Sequence, residues 1–209
     1  MKGFFITVEG IEGVGKSTHI ETIRAWLSGR GRKVVVTREP GGTPLAERIR
    51  ELVLRPQGEG VGAVSELLLM FAARSVHLDN LVRPALAGGA VVVCDRFTDA
   101  TYAYQGTGRG IADAEIAGLE RLVQGALRPD LTLLLDAPAE VGLARAAGRA
   151  GQAGTDRFEA EQVEFFRRVR EKYLDRARAE PARVEVVDAT RTATEVAATI
   201  QGILGRRLP

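Results

Sequence analysis

The sequence contains a single cysteine, Cys94, so no disulfide bond can form within the chain. A chain without disulfides fits a reducing compartment, and we expect a cytoplasmic protein. No apolar run approaches the ~20 residues that a membrane-spanning helix needs. These absences disfavour a disulfide-stapled secreted fold and predict no membrane partner.

Histidines and lysines are also scarce. The two histidines have no Cys or His partners at ligand spacing, which argues against a zinc site. Only four of the 29 basic residues are lysines, so arginine carries most of the positive charge. The 29 basic and 27 acidic residues are interspersed, which disfavours bulk binding of nucleic acid. Because the arginine fork matches phosphate oxygens, arginines in loops are candidates for binding a phosphate.

Short β-branched runs alternate with longer amphipathic segments along the whole chain. This alternation predicts a single domain over residues 1–209 with a three-layer α/β fold, a five-stranded parallel sheet flanked by helices. The strands are apolar on both faces, as in sheets covered on both sides. The predicted strands are Phe4–Glu9, Lys33–Thr37, Ala90–Asp95, Leu131–Asp136 and Arg183–Asp188. The predicted helices are Ser17–Gly29, Pro44–Leu54, Ser65–Ala87, Asp113–Leu127, Ala139–Ala147, Glu159–Ala179 and Thr192–Gly205.

The segment between the first strand and the first helix fits the pattern G-x-x-x-x-G-K-[ST]. Its glycines let backbone N–H groups face phosphate oxygens, and the following helix offers its N-terminus to the negative charge. We expect Lys16 to reach the β- and γ-phosphates and Ser17 to bind Mg²⁺. The sequence therefore predicts an ATP-binding P-loop. Its residues are Gly10, Ile11, Glu12, Gly13, Val14, Gly15, Lys16, Ser17 and Thr18.

Hydrolysis of the nucleotide as the main activity is disfavoured. The one asparagine, Asn80, precedes leucine, so the N-K-x-D motif that reads guanine in common GTPases is absent. Many ATPases place a water-polarising glutamate after the aspartate that ends a buried strand. Here Asp95, Asp136 and Asp188 end strands without a following glutamate. We therefore expect transfer of a phosphoryl group to an acceptor molecule.

Two arginines follow neighbouring predicted strands at the edge where ligands bind in open α/β sheets. Arg38 follows the second strand and Arg96 the third. Together beside a P-loop they predict a pocket for a phosphorylated acceptor, with Arg96 also a candidate catalytic residue. Asp95 is the candidate acid for holding Mg²⁺ or orienting Arg96. Asp136 is the alternative, because it also ends an apolar strand.

The segments EGIEGVGKST, TREPGGT, LLLMFAAR, CDRFTDATYAYQGTGRG and DRFE, in this order and spacing, closely resemble the thymidylate kinase family. The resemblance covers essentially the whole chain, and REPGGTP combined with DRF and AYQG is far more specific than the P-loop. It implies a nucleoside monophosphate kinase fold and transfer of phosphate from ATP·Mg²⁺ to dTMP, usually by a homodimer. A kinase for another nucleoside monophosphate and a nucleotide-binding protein without turnover remain the alternatives.

The resemblance implies roles for residues around the acceptor phosphate and sugar. Arg38 and Arg96 would hold the dTMP phosphate. Glu12 lies where the family places an acid near the sugar 3′-hydroxyl. Tyr104 would lie near C2′, where its ring would exclude a ribose hydroxyl.

The resemblance also implies residues around the base. Arg74 would hydrogen-bond the thymine edge, and Thr101 and Gln105 would lie near it. Many family members stack a phenylalanine four residues before this arginine, but that position is Met70 here and Phe71 follows it. A one-residue shift rotates a helical side chain by about 100°, so only one of the two can face the base. We favour Phe71.

A catalytic arginine is missing from the P-loop itself. Bacterial members of the family supply it from a lid, which would correspond here to residues 147–157. The Gly/Ala-rich stretch 147–155 predicts a flexible loop, and lid closure would expel water and bring in the charge. We predict that Arg149 is the lid catalyst, with Arg145 and Arg157 as alternatives. Thr190 and Arg191 are expected to bracket adenine.

Overall fold

The computed structural model describes residues 3–55, 59–150 and 163–208. In these ranges five parallel strands form one sheet in the order β2-β3-β1-β4-β5. Helices pack against the sheet, so the three-layer α/β prediction is confirmed. The strands are β1 (Phe4–Glu9), β2 (Val34–Arg38), β3 (Val91–Asp95), β4 (Leu131–Asp136) and β5 (Val184–Asp188).

The helices connect consecutive strands, as parallel pairing requires. Two stretches are π-helical, Leu78–Val82 and Tyr102–Gly108. The α-helices are α1 (Lys16–Ser28), α2 (Pro44–Leu54), α3 (Ala63–His77), α4 (Arg83–Ala87), α5 (Thr98–Thr101), α6 (Asp113–Gln124), α7 (Ala139–Ala150), α8 (Val163–Ala179) and α9 (Ala193–Arg207).

Three helical predictions differ from the structure. The single helix predicted over Ser65–Ala87 is α3, the first π-helical stretch and α4 in succession. No helix was predicted between β3 and α6, where α5 and the second π-helical stretch lie. Helix α7 continues to Ala150, so the start of the predicted 147–155 loop is helical. The rest of that loop, and the predicted helix start at Glu159, lie outside the described residues.

The expectation that every strand is buried on both faces is wrong for the two edge strands. The central strands β1, β3 and β4 are almost entirely buried, and Cys94 of β3 is fully covered. The edge strands have a neighbour on one side only and are less well covered. Val36 of β2 is 38% exposed and Val186 of β5 is 49% exposed.

The strand register brings polar chain ends together at the carboxyl edge of the sheet. Asp95 at the end of β3 is paired with Val8 of β1 on one side and with Arg38 of β2 on the other. The P-loop leaves β1 at this same edge. The edge therefore places the P-loop beside the segments that follow β2 and β3, as expected for a ligand site in an open α/β sheet.

Two glycines allow α7 to pack directly on the P-loop. Gly13 has a φ of +77°, which disfavours a side chain, and a Cβ there would overlap the carbonyl oxygen of Gly142. A Cβ on Gly142 would lie 2.5 Å from the carbonyl oxygen of Glu12. This close approach anchors the start of α7 against the nucleotide loop. Among the described helices, none has both the length and the apolar character that a bilayer crossing requires.

Candidate active site

A cavity of about 330 Å³ opens beside the P-loop at the carboxyl ends of β2 and β3. Its volume lies in the range of small-molecule sites. It is lined by P-loop residues, by the segments after β2 and β3, and by α2, α3 and the second π-helical stretch. The cavity brings together most of the residues predicted to bind substrate. These are Glu12, Arg38, Arg74, Arg96, Tyr104 and Gln105, with Lys16, Ser17 and Asp95 beside them.

Lys16 folds over its own loop. Its Nζ atom donates to the carbonyl oxygens of Gly10 at 3.0 Å and Ile11 at 2.8 Å. Burial and the nearby Arg96 guanidinium lower the pKa of Lys16 to about 8. Charged phosphate oxygens are stronger acceptors for an ammonium group than carbonyls, so a triphosphate in the loop would compete for this side chain.

The carboxylate of Glu12 joins two cavity residues. Arg96 Nη2 donates to Glu12 Oε1 at 2.6 Å, and the Tyr104 hydroxyl donates to Glu12 Oε2 at 2.7 Å. The Arg96 guanidinium carbon lies 4.7 Å from the centre of the Tyr104 ring. Burial raises the pKa of Tyr104 well above its ordinary value, which keeps the hydroxyl a donor. These contacts place a cationic fork and an aromatic ring on the same wall.

A buried glutamate holds the backbone around Arg96, whose φ of 66° is unusual for a residue with a side chain. Glu9, fully buried, accepts from the Phe97 backbone N–H at 2.7 Å and from the Tyr173 hydroxyl at 2.9 Å. Arg96 Nη1 donates to that hydroxyl at 3.3 Å. Burial, with a contribution from the charge of Asp99, raises the pKa of Glu9 to about 7.

Sequence reasoning missed the roles of Glu9 and Tyr173. Glu9 is recognisable as an acid at the carboxyl edge, but its partners lie 88 and 164 positions away. Tyr173 fits the apolar face of an amphipathic helix, and it is indeed 2% exposed. Nothing near either residue in the sequence indicates that they meet.

The two candidate magnesium carboxylates differ in their partners. Asp136 accepts two hydrogen bonds from Arg170, at 2.7 and 2.8 Å, so both of its oxygens are engaged. Asp95 Oδ1 is buried and has no hydrogen-bond partner among the described residues. Asp95 and Ser17 line the same cavity. The geometry favours Asp95 over Asp136.

The described part of the chain contains no group of three or more His, Cys, Asp or Glu side chains that could hold a metal ion. Mg²⁺ at nucleotide sites is usually bound by one or two protein oxygens, with substrate phosphates and waters completing the shell. The Asp95 oxygen that has no partner among the described residues and the Ser17 hydroxyl belong to residues lining one cavity, and they fit that donor set.

Two further arginines, from different elements, line the cavity. Arg38 binds Glu47 through Nε at 3.2 Å and Nη2 at 2.9 Å, and its side chain is 54% exposed. Arg50 of α2 donates to the Pro40 carbonyl oxygen at 2.8 Å and lines the same cavity. Arg50 was not predicted, because an arginine on an amphipathic helix is usually a solvent-facing residue.

Arg74 is fixed by two neighbours inside the protein. Its Nε donates to Glu39 Oε2 at 2.7 Å, and its Nη2 donates to Thr101 Oγ1 at 2.8 Å. Glu39 is held in turn by His77, whose Nδ1 lies 2.9 Å from Glu39 Oε1. Arg74 Nη1 is buried and has no partner within the described ranges. Thr101 therefore contacts Arg74 and does not line the cavity, and the buried roles of Glu39 and His77 were not predicted.

The expectation that Phe71 faces the acceptor pocket does not match the structure. Met70 lines the cavity, whereas Phe71 is 2% exposed and packs in a separate apolar cluster. The Arg74 guanidinium lies 4.7 Å from the Phe71 ring centre, so Phe71 supports the arginine from the core. The rotation of α3 decides between the two residues. The cluster around Phe71 contains Leu67, Tyr102, Ile111 and Ile116.

Gln105, from the second π-helical stretch, is 1% exposed and lines the cavity. Its Nε2 donates to Glu66 Oε1 at 3.0 Å, and its Oε1 is buried without a partner in the described part of the chain. Glu66 is fully buried on α3, and Arg109 Nε lies 3.5 Å from its Oε1. Glu66 was not among the predicted site residues.

A second cavity, of about 400 Å³, opens on the other side of the P-loop. Arg145 lines it and donates to the carbonyl oxygens of Ala189 at 2.7 Å and Thr190 at 3.4 Å. Of the two residues expected to bracket adenine, Arg191 also lines it, whereas Thr190 is not among its lining residues. Of the other lid candidates, Arg149 is in the last turn of α7 with its side chain outside the described part, and Arg157 lies outside it altogether.

Comparisons with known proteins identify the family of the chain. The family model described as Thymidylate kinase matches residues 8–200. A protein of Pseudomonas syringae pv. syringae named Thymidylate kinase is 58% identical over 208 residues, covering 100% of this chain and 98% of its own. One of Ectopseudomonas mendocina with the same name is 58% identical over 204 residues, covering 98% and 96%.

A solved structure is similar as well. The crystal structure of thymidylate kinase from Ehrlichia chaffeensis superposes with a TM-score of 0.78 at 34% identity, covering 98% of this chain and 99% of that one. With a family match over most of the sequence and relatives of this identity over its full length, the chain belongs to the thymidylate kinase family.

Proposed function

We propose that the protein transfers a phosphoryl group from ATP to dTMP and so forms dTDP, a step toward the dTTP used in DNA synthesis. The observation that carries the proposal is one continuous arrangement. A P-loop lies beside a cavity that several arginines line, and two buried polar atoms of lining residues, the donor Arg74 Nη1 and the acceptor Gln105 Oε1, have no partner within the described part of the chain. Membership of the family, with relatives named thymidylate kinase, supports the same reaction.

ATP would occupy the P-loop and the second cavity. The backbone of Gly10–Thr18 and the N-terminus of α1 would bind its phosphates, with Lys16 moving from the loop carbonyls to the phosphate oxygens. Arg145 and Arg191 line the side where adenine would lie. Ser17 and Asp95 would hold Mg²⁺, which neutralises phosphate charge when bound.

dTMP would bind in the first cavity with its phosphate toward the P-loop. Arg38 and Arg96 would hold that phosphate, with Arg50 as a third cation on the same cavity wall. Because Arg38 is only half-buried in its pair with Glu47, it can turn toward a ligand at small cost. Glu12 would accept from the 3′-hydroxyl.

The sugar and base would lie against residues whose positions are fixed by hydrogen bonds to other protein side chains. Tyr104, fixed by Glu12, would pack on C2′ and disfavour a ribose hydroxyl. Met70 would contact the face of the base, and Arg74 and Gln105 would hydrogen-bond its edge. Thr101 would act through Arg74.

Phosphoryl transfer depends on positioning and on neutralising charge on the moving group. Lys16, once it has moved to the phosphate oxygens, and Arg96 would supply part of that charge. Arg149 would supply the rest on closure of the lid, and water would be excluded at the same time.

The protein would act as a homodimer in the cytoplasm. Exposed large apolar side chains are concentrated on α2, α3 and α6, and α3 packs against both of the other two helices. Such exposure is a feature of surfaces that bind another protein. The residues are Leu45, Leu52, Val64, Leu68 and Leu122.

A coupled ADP-release assay with Mg²⁺·ATP tests the proposal, with dTMP, dUMP, dCMP, dGMP and AMP offered separately. We expect rapid turnover with dTMP and weaker turnover with dUMP. Turnover only with another monophosphate would keep the reaction and overturn the base assignment. ATP binding without turnover on any of the five would overturn the proposal in favour of a nucleotide-binding protein.

A further inference from the structure

Two residues that line the first cavity, the proposed dTMP site, each have a buried polar atom without a hydrogen-bond partner in the described part of the chain. The two atoms are Arg74 Nη1, a donor, and Gln105 Oε1, an acceptor. Both side chains are 1% exposed, and both line the cavity. Buried polar atoms without partners are costly unless a ligand satisfies them. The cavity therefore offers a ligand one donor and one acceptor of fixed type.

The donor is fixed by its own guanidinium, since arginine cannot accept a hydrogen bond. The acceptor depends on which way the Gln105 amide is turned. Amide groups rotate between two orientations that exchange oxygen and nitrogen, with little steric difference between them. Something other than shape must therefore set the polarity that Gln105 presents.

Glu66 is the side chain that contacts the Gln105 amide. Its carboxylate is completely buried and lies 3.0 Å from Gln105 Nε2, with the Arg109 guanidinium 3.5 Å from the same oxygen. An ionised carboxylate accepts hydrogen bonds and cannot donate them. The amide nitrogen is held toward Glu66, and the oxygen is the amide atom left for a ligand.

The pattern of one donor and one acceptor distinguishes pyrimidine bases. Thymine and uracil present a C4 carbonyl, which accepts, next to an N3–H, which donates. Cytosine presents an amino group and an unprotonated N3, so both positions have the opposite polarity. A donor from Arg74 and an acceptor from Gln105 match the first pattern and mismatch the second.

We infer that Glu66 is a positioning residue that sets base specificity, because it fixes the Gln105 amide so that the cavity accepts a 4-oxopyrimidine and rejects a 4-aminopyrimidine. The inference rests on the proposed binding of a pyrimidine monophosphate in this cavity. It assigns the discrimination to a residue that does not line the cavity.

The test compares dissociation constants for dTMP and dCMP, measured by calorimetry on the full-length protein. In Glu66→Gln the partner of Gln105 can donate as well as accept, so the amide can turn. We expect the dCMP-to-dTMP ratio of dissociation constants to fall at least about tenfold, mostly through weaker dTMP binding. In steady-state assays the KM for dTMP should rise while kcat stays within about threefold.

Glu120→Gln is the matched control. Glu120 is a buried carboxylate that accepts from the Tyr102 hydroxyl at 2.6 Å and does not line the cavity. In Glu120→Gln the dCMP-to-dTMP ratio of dissociation constants should equal that of the unmodified protein. If Glu66→Gln leaves the ratio unchanged, or weakens both ligands equally, the inference is overturned.

Gln105→Met keeps the inference testable if Glu66→Gln does not fold, as judged by circular dichroism. Removing the amide should lower the ratio to a similar degree, and a ratio within twofold of the original would overturn the inference. Where both variants fold, Glu66→Gln should change nothing further in the Gln105→Met background. If the unmodified protein binds neither monophosphate, the proposed function fails instead, so the two failures are distinguishable.

Discussion

The Arg96 guanidinium donates to the Glu12 carboxylate over 2.6 Å and so joins the segment after β3 to the P-loop. The same side chain reaches the Tyr173 hydroxyl of α8 at 3.3 Å. Arg96 thus connects the segment after β3 with both the P-loop and α8.

Replacing Arg96 by lysine tests this connection. Lysine keeps the charge but lacks the fork, so it cannot contact Glu12, Tyr173 and a phosphate together. We expect kcat/KM for dTMP to fall by about 10²- to 10³-fold in steady-state assays. Arg24→Lys is the control, since Arg24 forms an exposed pair with Glu21 at 2.7 Å and should show no change. A loss below threefold for Arg96→Lys would contradict the role.

Glu9 predicts a dependence of stability on pH. Its pKa of about 7 in the folded protein exceeds the ordinary value of 4.5. As pH rises from about 4.5 to 7, the unfolded chain releases this proton while the folded chain keeps it, so the free energy of unfolding falls across that window. Glu9→Gln mimics the protonated form and removes the effect. Relative to the unmodified protein, the variant should gain up to about 3 kcal/mol between pH 5 and pH 8.

Urea unfolding at pH 5, 6.5 and 8 measures this difference. Glu21→Gln, at a side chain that is 60% exposed, controls for the substitution itself. A stability difference between Glu9→Gln and the unmodified protein that does not change with pH, or that shrinks as pH rises, would show that Glu9 ionises normally in the fold.

The strands could be predicted from the sequence because their physical cause is local. A buried parallel strand needs β-branched or apolar residues on both faces, and the runs around Val92 and Leu133 satisfy this without ambiguity. The segment Thr98–Gly108 is different, because its threonines, tyrosines and glycines have low helix propensity. Its helical and π-helical turns pack against α3, α6 and α8, which are tertiary contacts that no local pattern records.

The site residues also fall into those that the sequence could locate and those whose roles depend on the fold. The P-loop, Arg38 and Arg96 could be located because each lies at or directly after the carboxyl end of a strand, at one edge of the sheet. The choice between Met70 and Phe71 depends on how α3 is rotated about its axis, and both residues are apolar. Glu66 joins Gln105 across 39 positions, so its role depends on the fold and not on a motif.

Met70 and Phe71 give opposite expectations in paired substitutions. Met70→Ala removes a side chain that lines the cavity and should raise the KM for dTMP by about five- to tenfold. Phe71→Leu should leave that KM within twofold and lower stability by about 1–2 kcal/mol, because Phe71 packs in the core. Steady-state kinetics measures the KM of both variants and urea unfolding measures their stability, and the two together show which residue contacts the base. A raised KM in Phe71→Leu alone would restore phenylalanine as the base-stacking residue.

Substitutions of the candidate lid arginines should change different kinetic constants. Arg149→Ala should lower kcat on the order of 10³-fold, because an arginine acting on the transferring phosphoryl group stabilises the transition state and not the ground state. Arg145 lines the second cavity, which we propose binds ATP, and contacts the carbonyl oxygens of Ala189 and Thr190. Arg145→Ala should therefore act mainly on the KM for ATP.

Steady-state assays of Arg145→Ala, Arg149→Ala and Arg157→Ala, each with ATP and dTMP varied separately, test the assignment. A loss of less than tenfold in kcat for Arg149→Ala would remove Arg149 from catalysis. If Arg157→Ala then carried the large loss, the catalytic charge would come from the far end of the predicted lid. The contacts of Arg145 with backbone carbonyl oxygens hold its side chain at the second cavity. A large kcat loss in Arg145→Ala would therefore mean that this side chain leaves those carbonyls during the reaction.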